Sequence, residues 1–196
     1  MKEGSSDIST TFIGYHGTSV DKANKIMNIG FIPSKNSNDW LGHGIYFFID
    51  GISCPKNNAE EWAKNQAWDS DRKYYKYKTY SVIQARVDVQ NSRILDLTTT
   101  DGLLAFNTVR EHLINKLEKN FFVRGRDVNN DDQKICNLVI SHLKLELLIC
   151  HFYIKNRTQR TRNIVSKIPN TTIMLVVKPE LCDISSINQV KTGVIR

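Results

Sequence analysis

The stretch YHGTSVDKANKIMNIGF, Tyr15 to Phe31, sets a histidine between an aromatic residue and a Gly-Thr pair, and an amphipathic run follows. Residues 12–15 have the pattern of a short strand that ends at a turn formed by His16 and Gly17. A histidine in such a turn is consistent with two interpretations. It is either a partly buried residue that hydrogen-bonds its own turn, or a functional group held at a strand end.

The amphipathic run behind the histidine predicts a helix. Ser19 or Asp21 can cap its first turn, and apolar residues recur along one face as far as about Asn28. Gly30 is placed to end it. The opening of the chain therefore predicts a strand, a turn and a helix.

Length and composition predict a single domain over residues 1–196 with a full hydrophobic core. No run of 18 apolar residues occurs, so no membrane span is expected. The first ten residues, MKEGSSDIST, are polar and lack the apolar core of a secretion signal. We therefore expect a cytoplasmic protein without a membrane partner.

The four cysteines, Cys54, Cys136, Cys150 and Cys182, are widely spaced, and none forms a C-x-x-C pair. This spacing favours free thiols and argues against a zinc site. No metal is expected.

Positive charge is concentrated in two segments of a chain whose net charge is +7. Between Leu147 and Pro179 there is no Asp or Glu, and the six cations are Lys155, Arg157, Arg160, Arg162, Lys167 and Lys178. Residues 71–78, DRKYYKYK, alternate cations with Tyr74, Tyr75 and Tyr77. Cations beside rings that can stack on bases favour a single-stranded nucleic-acid surface, and the alternative is a pair of solvated loops.

The remaining pattern predicts a mixed α+β fold. We predict helices at about 58–68, 98–119 and 131–146, and strands at GIYFFI, residues 80–89, TTIMLVVK and LCDISSINQV. Periodicity leaves LLICHFYI, residues 147–154, open between a strand and a buried helix end. Few connections are long enough for parallel crossovers, so we expect two mostly antiparallel sheets flanked by helices.

An ordered set of motifs then carries a family resemblance. His-Gly-Thr leads to a helix that ends in Gly-Phe, a polar loop reaches NDWLGHGIYFF, and NAEEWAKNQA follows. At this spacing the set resembles the ADP-ribosyltransferase superfamily, on the branch that shares a His-Tyr-x signature with poly(ADP-ribose) polymerases. It looks closest to small bacterial toxin-type members of toxin–antitoxin and phage-defence systems. The resemblance is clearest over residues 15–67 and weakest after about residue 120.

The resemblance implies that NAD+, as substrate, lies in a cleft between two sheets. His16 would then hydrogen-bond a ribose hydroxyl near the nicotinamide, and the Gly17 backbone would clamp the carboxamide. Thr18 would tie down the turn. Bending the ribose and fixing the leaving group suit cleavage of the nicotinamide–ribose bond, which passes through an oxocarbenium-like state.

The same resemblance places rings around the nicotinamide. Tyr46 would stack on one face and Trp62 would take the other, while Gly44 allows close backbone approach. A flat aromatic ring also suits a cationic pyridinium. The alternative is that both aromatic residues belong to the core, and we expect His43 to be an exposed loop residue.

The third signature position departs from the family pattern, which has Glu or Gln on a late strand. The matching segment, TTIMLVVKPELC, places Met174 there, or Thr172 after a register slip, and we expect Glu180 to face solvent. Three explanations stay open: the acceptor is already nucleophilic, another residue such as Glu146 or His151 substitutes, or transfer is lost. A missing acid argues against poly(ADP-ribose) elongation.

The sequence-level hypothesis is a toxin that transfers one ADP-ribose from NAD+ to a nucleic-acid base, RNA favoured over DNA, with an antitoxin as partner. We expect the acceptor side of the cleft to be formed by Arg157, Arg160, Arg162, Tyr74 and Tyr75. The alternatives are a protein acceptor and a non-catalytic module that binds NAD+ or ADP-ribose.

Overall fold

The structure, a computed structural model, describes residues 8–36, 39–121 and 132–195. Within these ranges the chain forms nine strands and five helices: β1 (Ser9–Ser19), α1 (Val20–Ile29), β2 (Ile45–Phe48), α2 (Pro55–Ala67), β3 (Trp68–Asp69), β4 (Tyr74–Tyr75), β5 (Thr79–Gln90), β6 (Ile94–Asp96), α3 (Thr100–Phe121), α4 (Asp132–Leu143), β7 (Leu147–Phe152), α5 (Arg157–Thr161), β8 (Thr171–Val176) and β9 (Asn188–Val194). The helix predicted to start at residue 131 begins at Asp132, and residue 131 itself lies outside the described ranges.

Seven strands form one mostly antiparallel sheet in the order β6-β7-β8-β2-β1-β5-β9, and β3 and β4 form a separate ribbon. Only the β6–β7 pair is parallel among the described strands. The α+β class is confirmed. The prediction of two main sheets is wrong in that the strands are joined, but the junction is narrow: β1 and β2 share a single register pair, Tyr15 with Phe48.

Beyond that pair the two strands diverge. β1 continues along β5 as far as Ser19, whereas β2 pairs along its whole length with β8. The sheet therefore has one half made of β1, β5 and β9 and another made of β6, β7, β8 and β2. Between the halves, past Tyr15, one edge of β1 has no strand neighbour in the described part of the chain.

The turn predicted at His16 and Gly17 does not form, because both residues lie inside β1 and pair with β5. Gly17 is needed for a different reason. A Cβ added to it would lie 1.7 Å from the carbonyl oxygen of Ala59 in α2, so only glycine lets this helix approach the strand.

The predicted ends of α1 are confirmed. The Ser19 hydroxyl accepts a hydrogen bond from the Lys22 backbone N–H at 3.3 Å, which is the N-cap contact expected of serine. Gly30 follows the helix with φ +82°, a conformation that side-chain-bearing residues rarely adopt, and its N–H bonds the Ile26 carbonyl at 2.8 Å.

Hydrophobic side chains cover both faces of the sheet. On one face Ala59 and Ala63 of α2 and Val139 of α4 join a buried cluster, and on the other Ala23 of α1 joins a second cluster. Alternation along β8 divides its side chains between these clusters. Of the segment 147–154, left open between strand and helix, residues 147–152 form β7, which pairs with β6 and β8.

The strand predicted at LCDISSINQV is wrong over its first part. Two 3-10 turns, Pro179–Leu181 and Ile184–Ser186, occupy this region, and the strand β9 begins at Asn188. All four cysteines are free, as predicted. No helix among the described residues combines the length and apolar character that crossing a bilayer requires.

A charged network connects α2 to the half of the sheet made of β1, β5 and β9. The Glu60 carboxylate accepts hydrogen bonds from Lys191 Nζ at 2.5 Å and from the Tyr80 hydroxyl at 2.6 Å, and Lys64 Nζ lies 2.8 Å away. Burial alone would raise the pKa of Glu60, but the hydrogen bonds from Lys191, Lys64 and Tyr80 outweigh it and lower the pKa to about 2.

We therefore expect Glu60→Gln to destabilise the protein in a pH-dependent way. Because the folded-state pKa is below the ordinary value of 4.5, the contribution of Glu60 is complete above pH 4.5 and is lost as the pH falls from there toward 2. The difference in melting temperature between wild type and variant should shrink over that window. Glu111→Gln, at an exposed ion pair with Arg110, is the matched control. A difference that stays constant from neutral pH to pH 3 would contradict this account.

Candidate functional site

A cleft of about 1260 Å³ opens where β1 and β2 diverge. Its walls come from the end of β1, from α1 and the segment that follows it, from β2, and from α2 with the chain after it. Typical pockets for drug-sized ligands have about 300–1000 Å³, so this cleft can take a ligand of dinucleotide size.

His16 lies at the point of divergence and lines the cleft. Its Nδ1 lies 2.9 Å from the carbonyl oxygen of Tyr46, to which it can only donate, so the side chain connects β1 to β2 where the backbone pairing has ended. This bond assigns the proton of the neutral ring to Nδ1 and leaves Nε2 as an acceptor. A hydroxyl group in the cleft is a suitable donor for it.

The surroundings of His16 keep the ring neutral. Burial lowers the pKa of His16; the hydrogen bond to the Tyr46 carbonyl opposes this, and the nearby Lys22 ammonium lowers the pKa further. Phe31 and Phe47 meet the imidazole edge-to-face at centroid distances of 5.6 and 6.1 Å. The ring is thus held by packing as well as by its hydrogen bond.

Tyr46 is partly buried and lines the cleft from β2. Its hydroxyl donates to the Gly42 carbonyl at 2.7 Å and accepts the Leu41 N–H at 2.9 Å, so both of its usual hydrogen-bonding roles are taken by the preceding loop. Burial is the main reason that the pKa of this hydroxyl lies above its ordinary value. What Tyr46 can offer a ligand is therefore its ring rather than a proton.

Trp62 lines the cleft from α2, as expected, but it does not stand alone. Trp40 packs edge-to-face against it at 5.4 Å and also lines the cleft, and Phe152 stacks on Trp40 at 5.4 Å. Trp40 belongs to the NDWLGHGIYFF motif, but its type and spacing there indicate no role. An aromatic residue in an irregular loop has no periodicity that would predict its direction.

The three small residues assigned to the NAD+ site all line the cleft, Gly17 and Thr18 from β1 and Gly44 from the loop before β2. Thr18 pairs with Ser81 within the sheet and has no turn to stabilise. Gly44 bridges Ser34, and a Cβ on it would meet Leu175 at 2.5 Å. Its small size is required by packing on β8.

The third signature position, expected at Met174, does not face the cleft. Met174 is fully buried in the second core cluster and does not line the cleft, and the β8 residue that does is its neighbour Ile173. Thr172 is also buried and bonds the Ile52 N–H at 3.2 Å and His151 Nδ1 at 3.0 Å. The cleft side of β8 therefore carries no carboxylate.

The two residues considered as substitutes have other contacts. Glu146 forms an ion pair with Lys178 at 2.6 Å, and His151 bonds Thr172, and neither is among the described residues that line the cleft. Glu180 is exposed, as predicted, and so is His43.

The first basic segment forms an aromatic ribbon, defined here as residues 68–78. Trp68, Tyr74 and Tyr75 are each 45% exposed, and Trp68 meets Tyr75 edge-to-face at 5.0 Å. Lys76 and Tyr77 line the cleft, so the ribbon adjoins its mouth. Exposed rings and cations are thereby brought to the rim of the candidate site.

The second basic segment connects β7 to β8 and is called here the acid-free loop, residues 153–170. Arg157, Arg160 and Arg162 are exposed on and beside α5. The loop is tied to α2, because the Arg157 N–H donates to Glu61 at 3.0 Å and the Asn65 amide donates to the Lys155 carbonyl at 3.3 Å.

The cleft also contains residues that no sequence motif marks. Phe31 is buried beside His16, and Lys22 and Lys25 line the cleft from α1. Apolar spacing along α1 predicts only the buried face of the helix, so it gives no signal for the two lysines. No group of three or more His, Cys, Asp or Glu suited to a metal ion occurs among residues 8–36, 39–121 and 132–195.

Comparisons with known proteins add one relative. The chain is 35% identical over 94 residues to an uncharacterized protein of the archaeon Methanocaldococcus jannaschii, a match that spans 47% of this chain and 40% of the relative. No protein-family model matches the chain. No solved structure matches it.

Proposed function

We propose that the protein transfers one ADP-ribose unit from NAD+ to a nucleic-acid base, RNA favoured over DNA, and releases nicotinamide. The observation that carries the proposal is the position of His16, whose neutral ring is oriented by the Tyr46 carbonyl inside a cleft large enough for a dinucleotide. A fixed acceptor atom at that position suits a ribose hydroxyl. It would hold the sugar while the bond to nicotinamide breaks.

The aromatic end of the cleft suits the leaving group. The Tyr46 ring is fixed by its two hydrogen bonds, and Trp62 and Trp40 form the neighbouring wall. A cationic pyridinium is attracted to such π faces. The strand edge of β1 at Gly17 has no strand neighbour in the described residues and can offer main-chain groups to the carboxamide.

The chemistry requires a good electrophile more than a strong base. As the C1′–N bond breaks, its electrons leave with nicotinamide and the ribose becomes oxocarbenium-like. A nucleophilic nitrogen of the acceptor then bonds C1′. The absence of a carboxylate on the cleft side of β8 supports a single transfer over chain elongation.

The choice of a nucleic-acid acceptor is supported by the rim of the cleft. The aromatic ribbon supplies exposed rings for stacking on unpaired bases, and its cations can contact phosphates. The acid-free loop, which the Arg157 N–H ties to α2, adds the exposed Arg157, Arg160 and Arg162, and none of the three lines the cleft itself. We further propose that the protein acts in the cytoplasm as a toxin and that an antitoxin protein restrains it.

A second candidate is a non-catalytic module that binds NAD+ or ADP-ribose. It is favoured by the same feature of β8, where Ile173 faces the cleft and Met174 is buried. Release of nicotinamide by the purified protein distinguishes the two, since a binding module releases none.

The test is an acceptor-labelling assay. Purified protein is mixed with NAD+ labelled in its ADP-ribose part and with total RNA, DNA or lysate protein. We expect label on RNA, less on DNA, and a steep loss of labelling as salt rises, because phosphate contacts release counterions. Label on protein alone would overturn the nucleic-acid acceptor.

A further inference from the structure

A second, smaller pocket lies between α2 and the acid-free loop. Its volume is about 260 Å³, and it shares Phe48 and Trp62 with the large cleft, so the two cavities are neighbours. Pockets for drug-sized ligands start at about 300 Å³, so this one suits a group the size of a single base and not a dinucleotide.

One face of α2 supplies a wall of this pocket. Asn58, Glu61, Trp62 and Asn65 all line it and follow the i, i+3, i+4, i+7 spacing that places residues on one helical face. The opposite face, with Ala59 and its neighbours, is buried against the sheet. The stripe that faces the pocket is polar apart from the tryptophan, which is unusual for a helix face directed at other parts of the protein.

Glu61 is the one carboxylate among the described residues that line the pocket. Its Oε2 accepts the Arg157 N–H at 3.0 Å, which fixes the side chain under the acid-free loop. Its other oxygen has no hydrogen-bond partner in the described part of the chain. A positioned carboxylate oxygen beside the cleft is thus free to accept a proton or a hydrogen bond.

Resting on the proposed function, we propose that this pocket receives the acceptor base, and that the base carries an exocyclic amino group which donates to Glu61. Carboxylates accept hydrogen bonds from such amines, as from the N4 amine of cytosine. Uracil has no exocyclic amine, and its one ring donor, N3–H, lies between two carbonyl oxygens that a carboxylate repels. Adenine, cytosine and guanine are therefore the expected class of acceptor.

The transfer step balances with Glu61 as proton acceptor. The amine nitrogen forms a bond to C1′ of the ribose, and the C1′–nicotinamide bond breaks with its electron pair leaving on neutral nicotinamide. The proton displaced from the amine passes to the Glu61 carboxylate and then to solvent. Glu61 of helix α2 would thus supply the carboxylate that β8 does not place in the cleft.

The remaining walls suit a base that extends from a strand of RNA. Gln159 lines the pocket from the acid-free loop, and its amide nitrogen can contact a base edge. Lys155 also lines the pocket and can contact the phosphate of the same nucleotide. Trp62, shared by both cavities, would separate the base from the nicotinamide.

The test compares Glu61→Gln with wild type in two measurements, transfer of ADP-ribose to RNA and binding of NAD+. The glutamine can still accept the Arg157 N–H, so the loop should stay in place. General-base catalysis is typically worth about 10²–10⁴-fold, so we expect transfer to RNA to fall by at least about 100-fold. NAD+ affinity should be nearly unchanged, because Glu61 does not line the neighbouring cleft. Glu180→Gln, an exposed position on another element, is the matched control.

The acceptor class is tested with short single-stranded RNAs made of uridine alone or of uridine with one adenosine, cytidine or guanosine. We expect label only on the three RNAs that carry an exocyclic amine. Equal labelling of the uridine-only RNA, or full transfer activity in Glu61→Gln, would overturn the inference and leave NAD+ cleavage standing. A wild-type protein that releases no nicotinamide would overturn the proposed function and this inference together.

Discussion

Replacing His16 by alanine should lower nicotinamide release by at least about 100-fold, because misplacement of a reacting group by about 1 Å already costs a factor of this size. The variant loses the acceptor atom at the point where β1 and β2 diverge and leaves the Tyr46 carbonyl without its donor. Leaving a buried acceptor unpaired costs about 1–3 kcal/mol, so the protein should remain folded but melt earlier.

His43→Ala is the matched control for this substitution, since His43 is exposed in the loop before β2. Rates of nicotinamide release at saturating NAD+, together with circular dichroism of both variants, separate a catalytic effect from unfolding. Wild-type turnover in folded His16→Ala would mean that the reaction occurs elsewhere on the molecule.

Replacing Gly17 by alanine should cause the largest loss of stability. The new Cβ would overlap the Ala59 carbonyl oxygen, which belongs to helix backbone and cannot rotate away as a side chain would. Overpacking costs typically 1–3 kcal/mol and sometimes more, and we expect about 3 kcal/mol here. For a chain of this length that corresponds to a decrease in melting temperature of roughly 6–12 °C.

Binding should suffer in the same variant, because α2 must move away from β1 and it carries Trp62 into the cleft. Ile13→Ala, a change at an exposed position of the same strand, should have a much smaller effect on both. Thermal denaturation and NAD+ titration of the two variants provide the comparison. If Gly17→Ala melted at the same temperature as wild type, α2 could move away from β1 without loss of stability, and the tight packing at Gly17 would not be needed.

The two ends of helix α1 could be predicted from local sequence. The Ser19 cap and the Gly30 stop of α1 depend on contacts between residues within one turn, and such contacts can be derived from spacing alone. The exception is Gly17, which was expected in a turn. Its true partner is Ala59, 42 positions later, and no local pattern reveals that a helix will pack there.

The sequence motifs group three residues but do not define their geometry. His16, Tyr46 and Trp62 do meet in one cleft. The register between β8 and β2 decides which β8 residue faces that cleft, and this register is a tertiary property. In the structure Ile173 faces the cleft and Met174 does not. The second pocket could not be predicted at all, since its walls come from α2 and from a loop about 90 residues further on.

The order of the strands has a consequence for biosynthesis. The half built from β1, β5 and β9 alternates along the chain with the half built from β2, β6, β7 and β8, so neither can assemble from one continuous segment. Such non-local pairing slows folding. A nascent polypeptide cannot close the groove around His16 until β8 has emerged from the ribosome, because Ile173 forms part of it. A chain that stops before β8 should therefore lack a complete groove.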